Sequence, residues 1–165
     1  MKLINAILAV MLTSGVSAAN DIKKPVDALA GTWTVDLTMT APGQQPIKFK
    51  ATLACRPAAA GTAVQCALDA EIPGIGGLHE IDVWAWEPET KILHDITVNN
   101  LGEVHDHQGS WKDEHTAVFA HTATQGGKPL EEKETVTFRR AGQMDFESTA
   151  TTADGTTKFT GHARK

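Results

Sequence analysis

Several things are scarce in this sequence, and each shortage narrows what the chain can be. Positive charge is in deficit: 15 Lys and Arg stand against 20 Asp and Glu, for a formal net charge of -5. A sequence-independent grip on nucleic acid or anionic lipid therefore has no electrostatic basis. There are only two cysteines, Cys55 and Cys66, too far apart for a CxxC redox pair. The apolar run Leu3 to Met11 is too short to span a bilayer and has no stop-transfer segment behind it. Beyond it no ten-residue amphipathic helical pattern appears, which removes βαβ folds. No linker or low-complexity tract divides the 165 residues, so one domain is expected.

Catalytic signatures are missing as well. There is no Gly-x-Ser-x-Gly elbow, no His-Glu-x-x-His and, with the cysteines paired, no lone thiol nucleophile. Ile72-Pro73-Gly74-Ile75-Gly76-Gly77 is rich in glycine, but no Lys-Ser/Thr follows and no helix opens there. It reads as a rim loop and a portal rather than a phosphate cradle. An enzyme is not the expectation.

What is present begins with an export leader. Lys2, the apolar run after it and the small-x-small end Val16-Ser17-Ala18 match a cleavable signal peptide over residues 1–18. Residues 19–31 form a lead in which Pro25 to Ala30 fits a single helical turn, and residues 32–165 form the folded domain. A periplasmic or extracellular chain, with no membrane span after cleavage, is the result. In that setting Cys55 and Cys66 are expected to form one disulfide. Arg56 to Thr62 reads as a turn, and a hairpin about it sets the two sulfurs opposite each other.

From Thr32 onward the pattern has period two. Trp33, Val35, Leu37 and Met39 alternate with polar residues, as do Phe49, Ala51, Leu53 and Cys55, and later Val136 and Phe138. A strand with one wet face needs this, and a helix would misplace half of each set. Nine turn signals separate ten strand candidates, near 32–40, 46–56, 63–71, 78–87, 91–99, 103–111, 115–123, 132–140, 143–151 and 156–164. Tight connections favour an all-β, single antiparallel up-and-down barrel, whose closure satisfies the two sheet edges; an open sandwich is the rival. A barrel of this size leaves room inside for a small ligand.

Ala30-Gly31-Thr32-Trp33 resembles the Gly-x-Trp signature of lipocalins and other calycin barrels. That resemblance implies a Trp33 that plugs one end of the barrel, with Arg164 of the last strand packed across it. The ten-strand layout is more similar to the fatty-acid-binding and nitrobindin branches. Gly109-Ser110-Trp111, Phe138-Arg139-Arg140 and Met144-Asp145-Phe146-Glu147 resemble segments of secreted, uncharacterised relatives of these. Gly31 to Leu37 also resembles the first strand of avidins. There Val35 and Met39 fall where that family has polar biotin contacts, and the chain has no tyrosine, so biotin is a poor fit.

The candidate site residues follow from shared faces. Phe49, Leu53, Trp84, Trp86, His94, Phe119 and His121 are expected to line a pocket for a small, partly apolar ligand. Trp84 and Trp86 share a face with Glu80 and Asp82, a combination suited to a cationic or sugar-like molecule. His105 and His107 share a face with Glu103; His94, grouped with Ile92, Ile96 and Val98, and His121, grouped with Ala117 and Phe119, are expected to face them. Four imidazoles, His94, His105, His107 and His121, would suit zinc or copper, or haem through one axial His. The expected function is thus an exported small-molecule-binding barrel. The alternatives are a metal- or haem-binding barrel and a non-catalytic structural or interaction module.

Overall fold

A computed structural model describes residues 27–140 and 142–165; the expected leader, residues 1–18, lies outside them. Ten strands follow one another: β1 (Gly31–Thr40), β2 (Ile47–Ala58), β3 (Ala63–Ile72), β4 (Gly76–Glu87) and β5 (Ile92–Asn99), then β6 (Val104–Trp111), β7 (Thr116–Gln125), β8 (Lys128–Arg140), β9 (Gln143–Thr152) and β10 (Gly155–Arg164). Each pairs antiparallel with its neighbour in sequence, and β1 pairs with β10 to close the ring. The architecture is therefore the expected up-and-down barrel and not a sandwich. β8 begins four residues before the expected start and carries a register shift between Phe138 and Arg140.

Alternation decides the interior. On β1 every second residue from Trp33 to Met39 is buried, and on β2 the same holds from Ala51 to Cys55. The intervening Asp36 and Lys50 meet on the outer face, where Asp36 also takes a salt bridge from Arg164 at 2.6 Å. Cys55 and Cys66 are direct cross-strand partners of β2 and β3, with Cα atoms 4.0 Å apart, and they form a disulfide. The turn between them contains a short 3-10 segment, Ala59–Gly61.

One end of the barrel has a floor. Residues 27–29 make a helical turn, and Leu29 is buried against Trp33, whose indole N–H donates to the Leu29 carbonyl at 2.8 Å. The cation over Trp33 is Lys165, 4.5 Å from the ring centroid, not Arg164. The reason is parity: Arg164 pairs with Thr34 and shares the outer face with Asp36, whereas Lys165 reaches under the end of the barrel to the Ala28 and Ala30 carbonyls.

Two inward glycines are covered by rings. Gly161 stands opposite Phe146, and Gly109 opposite Phe119. A Cβ on Gly161 would lie 2.0 Å from the Phe146 ring, and one on Gly109 would lie 2.1 Å from the Val118 carbonyl oxygen. The second clash is with backbone, so the wall itself would have to move. Gly109→Ala is expected to cost roughly 3 kcal/mol in urea unfolding; a loss below about 0.5 kcal/mol would show that β6 and β7 yield easily. Replacing both cysteines with Ala should lower stability by up to about 3 kcal/mol, read the same way, since the bridge closes a short loop in the unfolded chain.

Candidate functional site

The interior is not filled. A cavity of about 480 Å³ runs from Leu29 at the floor to Ile75 and Leu101 at the opposite rim. Both rim residues are large and exposed, at 59% and 60%. Ile75 belongs to the glycine-rich turn read as a portal, and that turn does stand at the mouth.

The cavity has two unlike walls. Strands β1, β2, β9 and β10 supply Leu37, Met39, Phe49, Leu53, Phe146 and Phe159. Strands β4, β5, β6 and β8 supply Glu80, Asp82, Asp95, Glu132 and Glu134, together with Thr97, Asn99, His105 and His107, and the turn before β6 adds Glu103. The registers place them: Asp82 pairs with Thr97, Asp95 with Trp84 and with His107, and His121 with Glu132. Thr97 donates to Asp82 at 3.0 Å; Asn99 donates to Glu103 at 2.7 Å and to Glu80 at 3.3 Å. Asp95 is 4% exposed and takes a hydrogen bond from Trp84, while its Oδ1 has no partner.

At the polar wall two imidazoles converge on one carboxylate. His105 Nδ1 lies 2.8 Å and His107 Nε2 lies 3.2 Å from the same Glu132 oxygen. His121 stacks on His105 with ring centroids 4.7 Å apart, and its Nδ1 donates to the Asp106 carbonyl at 3.0 Å.

Crowding acids in a low-dielectric interior moves their proton equilibria. Burial, then repulsion from Glu80 and Glu134, pushes Asp82 up to about 8. Burial, opposed by His107 and reinforced by Glu80 and Glu132, pushes Glu134 up to about 7. Asp95 is raised well above the usual range, by burial first and by Asp82 next. Glu132 goes the other way: burial would raise it, but the hydrogen bond from His107 and the charges of the nearby imidazoles outweigh that and hold it low. His107 is the counterpart. Burial opposes its charge, and Glu132 and Glu134 overcome that and raise it.

The expected pocket residues fall in different places. Phe49, Leu53 and Trp84 line the cavity. Trp86 and Phe119 pack within the core, Phe119 edge-on to Trp84 at 4.8 Å. His121 stands beside His105 and His107, which the sequence also grouped. His94 is a correction. It pairs with Ala85 and Gln108 on the outer face and bonds Asp106 at 2.8 Å, so it joins neither the pocket nor the imidazole cluster. On β5 the inward parity belongs to Leu93, Asp95, Thr97 and Asn99, while the apolar Ile96 and Val98 face outward, 39% and 45% exposed. Asp95, Glu132 and Glu134 were missed because they are acids at core positions.

Of the imidazoles expected to take a metal or haem, His105 and His107 both address Glu132 on an acidic wall, while the Nε2 of His121 is buried without a hydrogen-bond partner.

No protein-family model matches the chain, and no curated protein matches it by sequence. Solved structures do resemble it. An S-type phycobiliprotein lyase, CPES from Guillardia theta, is 8% identical with a TM-score of 0.63, covering 90% of this chain and 94% of that one. Rv2717c from M. tuberculosis is 8% identical with a TM-score of 0.63, covering 90% and 97%. EF1p2_mFAP2b, solved bound to DFHBI, is 10% identical with a TM-score of 0.50, covering 87% and 98%. What is shared is the closed antiparallel β-barrel fold.

The raised acids fix the sign of a pH dependence. Asp82 keeps its proton in the folded protein to about pH 8, whereas in the unfolded chain it ionises near pH 4. Its contribution is therefore complete below about pH 4 and is lost as pH rises through about 8. The raised His107 acts in the same direction. The depressed Glu132 acts oppositely, and only at acid pH. Thermal stability should fall between pH 5 and pH 8.5, and Asp82→Asn should flatten that slope; an unchanged slope in the variant would remove Asp82 as a source.

Proposed function

We propose that this protein is an exported barrel that binds a small, partly apolar molecule in its interior, with the polar end of the ligand donating hydrogen bonds or carrying positive charge. The observation that carries this reading is the two-walled cavity of about 480 Å³, open at a rim of exposed Ile75 and Leu101. Its size falls within the range of ordinary ligand pockets. The apolar wall gives hydrophobic contact, and the opposite wall offers acceptors, among them the unpartnered Oδ1 of Asp95. Trp84 stands beside Asp82 and Asp95 in that wall, an arrangement that offers a cation a ring face and two carboxyl groups that would ionise as it enters. DFHBI bound by EF1p2_mFAP2b supports the idea that a barrel of this fold can hold a guest.

Two features support export. The Cys55–Cys66 bridge is of a kind that persists in oxidising compartments, and residues 1–18 carry the leader pattern. Among the described residues no helix is long and apolar enough to cross a membrane.

The ligand reading is tested with octylammonium against octanoate and octanol in thermal unfolding. Octylammonium should stabilise most, by about 2.7 kcal/mol at one hundred times its dissociation constant, and octanoate least. Leu53→Trp, which fills the cavity from the apolar wall, should abolish the effect. If none of the three shifts the transition, or if Leu53→Trp leaves the shift intact, the interior is not the binding site.

A further inference from the structure

We propose that His105, His107 and Glu132 form a three-ligand site for a divalent transition metal of the zinc type, with its fourth position open to the cavity. Each of the three offers a ligand atom, and these atoms lie within 4.8 Å of one another. The strand geometry makes the site. His105 and His107 are two apart on β6 and so share its inner face, and Glu132 reaches them from β8 across the width of β7. Both imidazole nitrogens meet one Glu132 oxygen, at 2.8 and 3.2 Å. Ligands held about 2.1 Å from a tetrahedral zinc stand about 3.4 Å from each other; the two contacts to Glu132 lie below that spacing and all three ligand atoms lie within 4.8 Å, so side-chain adjustment without strand movement would bring them onto one ion.

Independent observations point to a cation here. The same cavity wall carries Glu80, Asp82, Asp95, Glu103 and Glu134. Among the described residues lining the cavity the one Lys or Arg is Lys133, and its ammonium is 2.7 Å from Glu131. Asp95 is buried in this wall with Oδ1 unpartnered. His121, in ring contact with both ligand imidazoles, has a buried Nε2 without a partner. His107 is itself 8% exposed, so the site is screened from bulk water on the protein side. Two imidazoles and one carboxylate select zinc and its first-row neighbours over magnesium or calcium, which prefer all-oxygen shells. The ion does not depend on the organic ligand: either could bind if the other failed to.

The test uses the full chain stripped with chelator and titrated with Zn²⁺, Co²⁺ and Mg²⁺ by calorimetry and absorbance. One Zn²⁺ per chain should bind, Co²⁺ should give the intense visible bands of a four-coordinate ion, and Mg²⁺ should not compete. His107→Asn and Glu132→Gln should each weaken Zn²⁺ by about 100-fold or more, while His94→Ala, on the outer face, should leave it unchanged. A measurement on the unaltered chain covers the case in which a variant does not fold: Zn²⁺ should move the imidazole ¹⁵N resonances of His105 and His107 and not those of His94. Absence of stoichiometric Zn²⁺ binding, binding that survives both ligand variants, or shifts confined to His94 would each overturn the proposal.

Discussion

The pairing of β1 with β10 is the constraint on which the rest depends. From Thr34 opposite Arg164 to Thr40 opposite Lys158, it satisfies the backbone groups that an open ten-stranded sheet would leave at its edges. Closure also sets a circumference. With this number of strands the ring is wider than its inward side chains can fill, and the remaining space becomes a chamber rather than a set of packing defects. Floor and mouth follow from the connectivity. Leu29 and Trp33 close the end where the chain enters β1, while the turns after β3 and β5 bring Ile75 and Leu101 to the other.

Within that chamber the energetics are uneven. Among the described residues, the wall formed by β1, β2, β9 and β10 turns no acid to the cavity; its apolar side chains gain stability from removal from water, and Ser148, Thr149, Thr152 and Thr157 add hydroxyl groups on β9 and β10. The wall of β4 to β8 carries acids whose burial opposes folding, and it compensates only in part: Thr97 for Asp82, Asn99 for Glu80 and Glu103, the imidazoles for Glu132. A fold with no use for those groups would do better with aliphatic residues there. Carboxyl groups that burial and mutual repulsion keep protonated would release their protons as a positive guest entered, and that stored acidity is the physical core of both functional readings.

Much of the architecture was legible because most strands obey a single rule. Alternation in β1, β2 and the end of β8 marked inner faces that the structure keeps, and the turn residues set ten strand boundaries within a few positions. The cross-strand cysteines were readable from the hairpin between them. The rule inverts on β5, where Ile96 and Val98 are outside and Asp95 and Thr97 inside, and this inversion misdirected His94. A signal for the acidic wall was nevertheless present. Carrying the parity of Val136 and Phe138 back along β8 reaches Glu134 and Glu132, and polar residues at core parity mark the stretch where packing yields to chemistry. The Lys165 contact beneath Trp33 had no such signal, because it lies just past the last strand, where parity no longer sets direction.

The rings over Gly109 and Gly161 carry a consequence for the inheritance of this fold. Each glycine and the phenylalanine across from it, Phe119 or Phe146, occupy one volume between them. Neither partner can drift alone: a side chain gained at the glycine collides with the ring, and a ring lost leaves a hole beside the chamber. Gly161 and Phe146 should therefore descend through lineages as a unit, changing jointly or not at all, whereas Gly109 is held by the Val118 carbonyl as well and stays fixed whatever stands at 119; Phe146, which faces the chamber, would tie the shape of the guest's seat to the identity of a residue on the neighbouring strand.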